Sequence, residues 1–372
     1  MPSEVVPKDF LMAIINEARL HHIPKITVRS ILLDLDLLSI DLVDDEVRIL
    51  ADRKAFSETI GRMRKQASSP AIDDLPNYED LRSAVWNTVM LPDEVVRPIF
   101  DEIKGMQERT KDPYRHPKQM AFAIDTNIAY YRLFTRMFLK SNLLELFGFR
   151  PEDLQIIVSN LVEEEISHAI ARKYSRGDIN ELQKVVRDQV LTNAMNNICH
   201  RQGRKALNAQ AEIDALGRMS NVWRVGGARA SDNKEENDDE IVRSLALHSA
   251  DQRMDVLFVT ADDKCRAHAF SHKLPSILVV PPNELPESVE FDPWLLVELL
   301  HDLSINFVGL HLPEPGIKII GGWSGKSTED FHRELIKVIA ISNSPIKDRV
   351  HTDLDIIREI ELIESGASEI VN

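Results

Sequence analysis

The sequence predicts an α/β fold: a three-layer α/β/α unit built on a parallel sheet, with helical regions before and after it. Three observations carry this. Four short apolar runs show no polar alternation, as expected of strands buried on both faces of a parallel sheet. Three of these runs are each followed by a helix-like stretch, the alternating order of such a sheet. At 372 residues the chain is long for one domain, so regions outside the sheet unit are expected.

Residues 1–117 read as helical. Phe10, Leu11, Ile14, Ile15 and Ala18 recur at helical spacing, as do Val47, Leu50, Phe56, Ile60 and Met63. Prolines 70, 76, 92 and 98 punctuate short helices, and the polar stretch Lys111 to Lys118 with two prolines reads as a boundary. The sheet unit is expected over 118–283. Its strands are QMAFAID (119–125), QIIVSN (155–160), DVLFVTAD (255–262) and SILVVPP (276–282). A helical insertion is expected at about 171–230. Eleven basic against five acidic residues leave it at +6, in a chain of net charge −15. Residues 284–372 read as a helical extension made of FDPWLLVELLHDL, TEDFHRELIKVIA and DLDIIREIELIES.

Composition excludes several classes. Net charge −15 and a pI near 5.3 argue against a globally basic nucleic-acid binder, so any such contact needs a local basic patch. Two cysteines make neither a disulfide framework nor a four-cysteine zinc site, and they fit a reducing cytosol. No signal peptide and no stretch of 18 uncharged apolar residues is present, so the expectation is a soluble cytoplasmic protein without a membrane partner.

Acids fall where chemistry is expected. Asp125 ends the first strand and Asp262 ends the third, and open parallel sheets place their sites beyond the carboxyl ends of strands. After the second strand, Ser159 can cap a helix that turns one of Glu163, Glu164 and Glu165 toward the same crevice. Asp238 begins another helix and can turn toward the sheet edge. Carboxylates gathered in one place raise one another's pKa unless a cation neutralises them. Mg²⁺ or Mn²⁺, hard ions that prefer oxygen, would do so and could activate a water.

The order of a strand with DTN, then Ser-x5-Glu before an aliphatic, then Asn-Asp-x-x-Ile, then Thr-x-Asp resembles that of PIN domains, a family similar to 5′-nucleases. The resemblance covers roughly 119–282. It implies a metal-dependent endoribonuclease with Asp125, Glu165, Asp238 and Asp262 as metal-holding catalytic acids and Asn127 and Thr260 as their support. It also implies RNA, single-stranded or structured, as substrate, cut to leave 5′-phosphate and 3′-hydroxyl ends. The expected path from the second acid to the third is longer here than the family's usual one. A non-catalytic RNA-binding or scaffold protein and a structure-specific DNA nuclease are the alternatives. The flanking regions leave room for recruitment, self-control or assembly as a homo-oligomer.

Other motifs carry less. Arg201, Arg204 and Lys205 in HRQGRK are candidate phosphate contacts within the basic insertion. Glu163, Glu164, Asp239, Glu240 and Asp263 read as solvated helix acids. GGWSGKST (321–328) misses the phosphate-loop pattern, because Ile320 stands where its first glycine belongs, and reads as a glycine turn into a capped helix. Cys265, His268 and His272 have metal-like spacing, but without an evident fourth ligand they read as one face of a helix.

Overall fold

The computed structural model describes residues 4–67, 70–90, 93–110, 119–139, 155–227, 231, 233–341, 343–356 and 359. The expected boundary at 111–118 lies outside them, as does part of the last expected helix.

The parallel sheet forms from β5 (Met120–Ile124), β6 (Gln155–Ser159), β7 (Asn221–Val225), β8 (Asp255–Thr260) and β9 (Ser276–Leu278), in the order β7-β6-β5-β8-β9. Every pairing is parallel. The four expected strands are β5, β6, β8 and β9. The middle three, β5, β6 and β8, are buried almost throughout, which is why their sequences run apolar without alternation. Strand β7 was expected to be part of the helical insertion. It is an edge strand with three exposed residues of five, so it lacks the continuous apolar run of its neighbours.

The flanking regions are not simply helical. Strands β1 (Glu4–Pro7), β2 (Lys25–Ser30), β3 (Leu35–Asp41) and β4 (Glu46–Ile49) come from the N-terminal part, and β10 (Ser288–Glu290), β11 (Gly309–Leu312), β12 (Ile317–Ile320) and β13 (Leu335–Ala340) from the C-terminal part. They interleave in one eight-stranded sheet, β1-β13-β12-β11-β2-β3-β4-β10, antiparallel throughout. Burial in β2 alternates residue by residue, the signature of a sheet with one covered face. The aspartates that interrupt the apolar run at 31–45 serve its hairpins: Asp34 and Asp45 take the left-handed conformation, with φ of 51° and 53°. In TEDFHRELIKVIA a single helical turn gives way to strand β13, a correction of the expected helix.

The helices are α1 (Phe10–Leu20), α2 (Arg53–Arg64), α3 (Pro70–Asp73), α4 (Tyr78–Trp86), α5 (Asp93–Thr110), α6 (Thr126–Tyr131), α7 (Leu133–Leu139), α8 (Asn160–Ile170), α9 (Arg176–Leu182), α10 (Gln189–Ala194), α11 (Arg201–Met219), α12 (Lys234–Asp251), α13 (Asp263–Ser271), α14 (Pro293–Asn306) and α15 (Thr328–His332). The apolar stripe read in α1 is its buried face, Phe10, Leu11, Ile14, Ile15 and Ala18. Val47, by contrast, lies in β4, and Pro98 sits inside α5 rather than ending a helix. GGWSGKST turns at Gly325 (φ +85°) and enters α15 through a capping box on Ser327, the expected capped turn.

Among the described residues, a small cluster of Cys199, Leu207, Ile305 and Phe331 accompanies two large apolar cores. One lies under the antiparallel sheet with α1, α2, α4 and α14, and the other encloses the parallel sheet. Between them runs a buried polar layer. Arg132, at the end of α6, and Arg136 of α7 meet Glu298 and Asp302 of α14, with Lys8 and Glu334 completing the cluster. Arg204 of α11 donates to the carbonyls of Ile305 and Asn306 at the C-terminus of α14 (2.9 and 3.0 Å), where a cation suits the helix dipole. None of the described helices is long and apolar enough to cross a membrane.

Candidate functional site

The chain runs from β5 to β6 and β7 on one side of the sheet, then returns to β8 and β9 on the other. Connections therefore leave β5 and β8 in opposite directions. A crevice opens beyond the carboxyl ends of two such strands, the usual place for a ligand in an open parallel sheet. Asp125 follows the last residue of β5, and Asp262 comes two residues after β8.

Asp125 is buried and tightly held. Its Oδ1 accepts from the Ile128 N–H (2.8 Å), capping α6. Its Oδ2 accepts from the Thr260 hydroxyl (2.6 Å) and from the Ala261 N–H (3.3 Å). Burial pushes its pKa up to about 6 against these donors, and the charge of Asp262 adds to the rise. Thr260 is wholly buried in β8 and also accepts from the Asp262 N–H (3.0 Å), so one side chain fixes both acids. Asp262 in turn caps α13 through the Lys264 N–H (2.9 Å).

The other acids arrive from helices. Asp238 lies in α12 and is buried, and its carboxylate, that of Asp262 and the Cys265 thiol come within 4.8 Å of one another. Burial pushes the Cys265 thiol far up, with the charges of Asp238, Asp125 and Asp262 adding to it. Glu165, in the second turn of α8, accepts from the Thr126 hydroxyl, which stands next to Asp125 at the start of α6. The Tyr130 phenol is pushed up to about 12 by burial and by the charge of Glu165. Asn127 sits half-buried in the first turn of α6.

The chain matches no family model, no curated protein and no solved structure. The reading of the site thus rests on its own residues.

Sequence reasoning passes over Thr126 and reads Cys265 only as part of a helix face. Thr126 is an unremarked neighbour of Asp125, and its signal is the second residue of DTN. Cys265 falls one helical turn after Asp262, which is what places it among the acids. Of the acids read as solvated, Glu163 pairs with Arg224 (2.8 Å), Asp263 with Arg266 (2.8 Å), and Asp239 with His268 and His272.

The three cations expected at phosphates are used inside the protein. Arg204 is 1% exposed, and three of its nitrogens donate to main-chain carbonyls, those of Cys199, Ile305 and Asn306. Arg201 and Lys205 both pair with Asp80, which is fully buried and caps α4. Burial alone would raise the Asp80 pKa, but the Lys205 and Arg201 charges outweigh it and hold the carboxyl below its usual range. The basic balance of 171–230 is thus, at these positions, a packing device. Arg204 is thereby out of reach of a phosphate, while Arg201 and Lys205 are half-buried in their pairing with Asp80.

Proposed function

We propose that Asp125, Glu165, Asp238 and Asp262 form the metal-holding centre of a PIN-like nuclease, acting as an endoribonuclease on RNA. What supports this most is the placement of Asp125 and Asp262 at the carboxyl ends of adjacent strands at the switch point of the parallel sheet, with Thr260 donating to the Asp125 carboxylate and accepting from the Asp262 main-chain N–H. Two further acids supplied by α8 and α12 complete the set.

The donor set fits a hard divalent ion. Carboxylate oxygens are its preferred ligands, and the strongest partners of buried Asp125 are neutral donors rather than a cationic side chain. Bound Mg²⁺ or Mn²⁺ would supply Lewis-acid polarisation of a phosphoryl oxygen and an acidified water. The protein's part is orientation. Thr260 and the Ile128 and Ala261 N–H groups fix the Asp125 carboxylate, and Thr126 fixes Glu165. A carboxylate held by three donors keeps one geometry and loses little freedom when it takes a ligand.

The test is cleavage of a labelled single-stranded RNA by the full chain with Mn²⁺, with EDTA, and in Asp125→Asn. Cutting that needs metal and disappears in the variant supports the proposal. RNA binding without cutting points to a binding or scaffold role, and preference for flap DNA points to a DNA nuclease.

A further inference from the structure

His268 of α13 and His272, which caps its C-terminus, stand one turn apart, and both turn a ring nitrogen toward a single carboxylate oxygen. His268 Nδ1 and His272 Nε2 each lie 3.0 Å from Asp239 Oδ1, on the facing helix α12. We propose that Asp239, His268 and His272 form a binding site for a borderline divalent transition ion of the Zn²⁺ class, separate from the carboxylate centre.

The donor chemistry selects the class of ion. Imidazole suits Zn²⁺, Co²⁺, Ni²⁺ and Cu²⁺, whereas Mg²⁺ and Ca²⁺ favour all-oxygen sites. Histidines at i and i+4 share a helix face and form a natural chelate. Two ligand atoms each about 2.1 Å from one tetrahedral ion lie about 3.4 Å apart. Each imidazole nitrogen, at 3.0 Å from Asp239 Oδ1, is within a few tenths of an ångström of that spacing. The two nitrogens stand more than 4.8 Å from each other, so both rings must turn to meet on one ion, and they are 23% and 29% exposed.

The surroundings favour a cation. Asp239 and His268 border an open cleft of about 460 Å³ that Glu235, Glu236 and Glu240 also line, with Arg243 as its one cation among the described residues and paired to Glu240. An ion reaches the triad from solvent through an acidic mouth, and water can fill its remaining positions.

Occupancy would tie α12 to α13. The first of these carries Asp238, and Asp262 caps the second. The ion would therefore brace two acids of the carboxylate centre without sharing a ligand with it. This inference does not depend on the nuclease reading.

The experiment is a calorimetric titration of the full chain with ZnCl₂ in excess Mg²⁺, comparing wild type, His268→Ala/His272→Ala and Asp262→Asn. One Zn²⁺ per chain is expected, bound about tenfold or more weakly by the double variant and undiminished in Asp262→Asn. His272→Gln, which keeps a hydrogen-bonding group beside Asp239, should also weaken binding, separating ligation from packing. Equal binding by the double variant, loss in Asp262→Asn, or no binding by wild type would each overturn the proposal. The second of these would place the ion among Asp238, Asp262 and Cys265 instead.

Discussion

Asp125 and Arg132 stand at opposite ends of one helix. Asp125 caps the start of α6, six residues long, and Arg132 ends it in the left-handed conformation, φ 52°. The acid is buried at the carboxyl end of β5, while the guanidinium enters the buried cluster of Glu212, Glu298 and Glu334. So short a helix has few bonds of its own, and both ends depend on their anchors.

Arg132→Met should therefore act at two places. Removing one partner from a buried ion cluster costs about 3–5 kcal/mol, because the remaining charges keep their desolvation penalty. Urea denaturation should show this loss of stability. The Arg187→Ala change, at a side chain 86% exposed, should move stability by less than about 1 kcal/mol. Equal effects would refute the anchoring role.

Thr260→Val removes the hydroxyl that donates to Asp125 and accepts from the Asp262 N–H, while keeping the side chain's volume. On the proposed function, Mn²⁺-dependent cleavage should fall roughly 10–100-fold, the usual effect of losing a group that orients a ligand. The fold should survive, since the neighbouring apolar contacts are kept. Full activity in a folded variant would mean that Thr260 orients nothing that matters to the reaction.

The sequence made some of this legible. Strands β5, β6 and β8 announce themselves because burial on both faces leaves an unbroken apolar run, and the acids after them follow from where such strands end. Strand β7 was hidden by its exposed edge position. The eight-stranded sheet was hidden for a different reason: its strands come from the two ends of the chain, and β1 pairs with β13 more than 320 residues away. No local pattern reports a partner so distant. Arg201, Arg204 and Lys205 misled because charge on a helix says nothing about which face is covered. Only the position of Asp80, 121 residues from Arg201, shows that these cations have a partner within the fold.

Reversing those charges tests that account. Arg201→Glu/Arg204→Glu/Lys205→Glu should unfold or prevent folding of the chain rather than weaken a surface contact. It buries new acids beside Asp80 and leaves the carbonyls of Ile305 and Asn306 without their donor. Arg204→Ala alone should cost about 3 kcal/mol or more. A folded triple variant with normal stability would restore the surface reading.

His301 gives the fold a pH dependence of definite sign. It is 2% exposed in α14, and neither ring nitrogen has a hydrogen-bond partner. Burial pushes its pKa down to about 3, with Glu334 and Glu298 opposing and Lys8 and Arg132 assisting, and Asp302 lies 4.0 Å from Nδ1. An unfolded histidine titrates near 6.5, so between about 6.5 and 3 the unfolded chain binds a proton that the folded chain refuses. Stability must fall as pH drops through this window, by about 1.4 kcal/mol per pH unit once the unfolded imidazole is charged. Glu298 and Glu334 are held below the ordinary carboxylate range, so their contributions are lost only at lower pH, as unfolded carboxyls begin to protonate. Asp125, raised to about 6, works in the opposite direction and is common to wild type and variant. Denaturation of metal-free wild type and His301→Gln at pH 7, 6 and 5 separates the terms. The wild type should lose stability more steeply than the variant over this range, and parallel curves would show that His301 is charged in the folded protein.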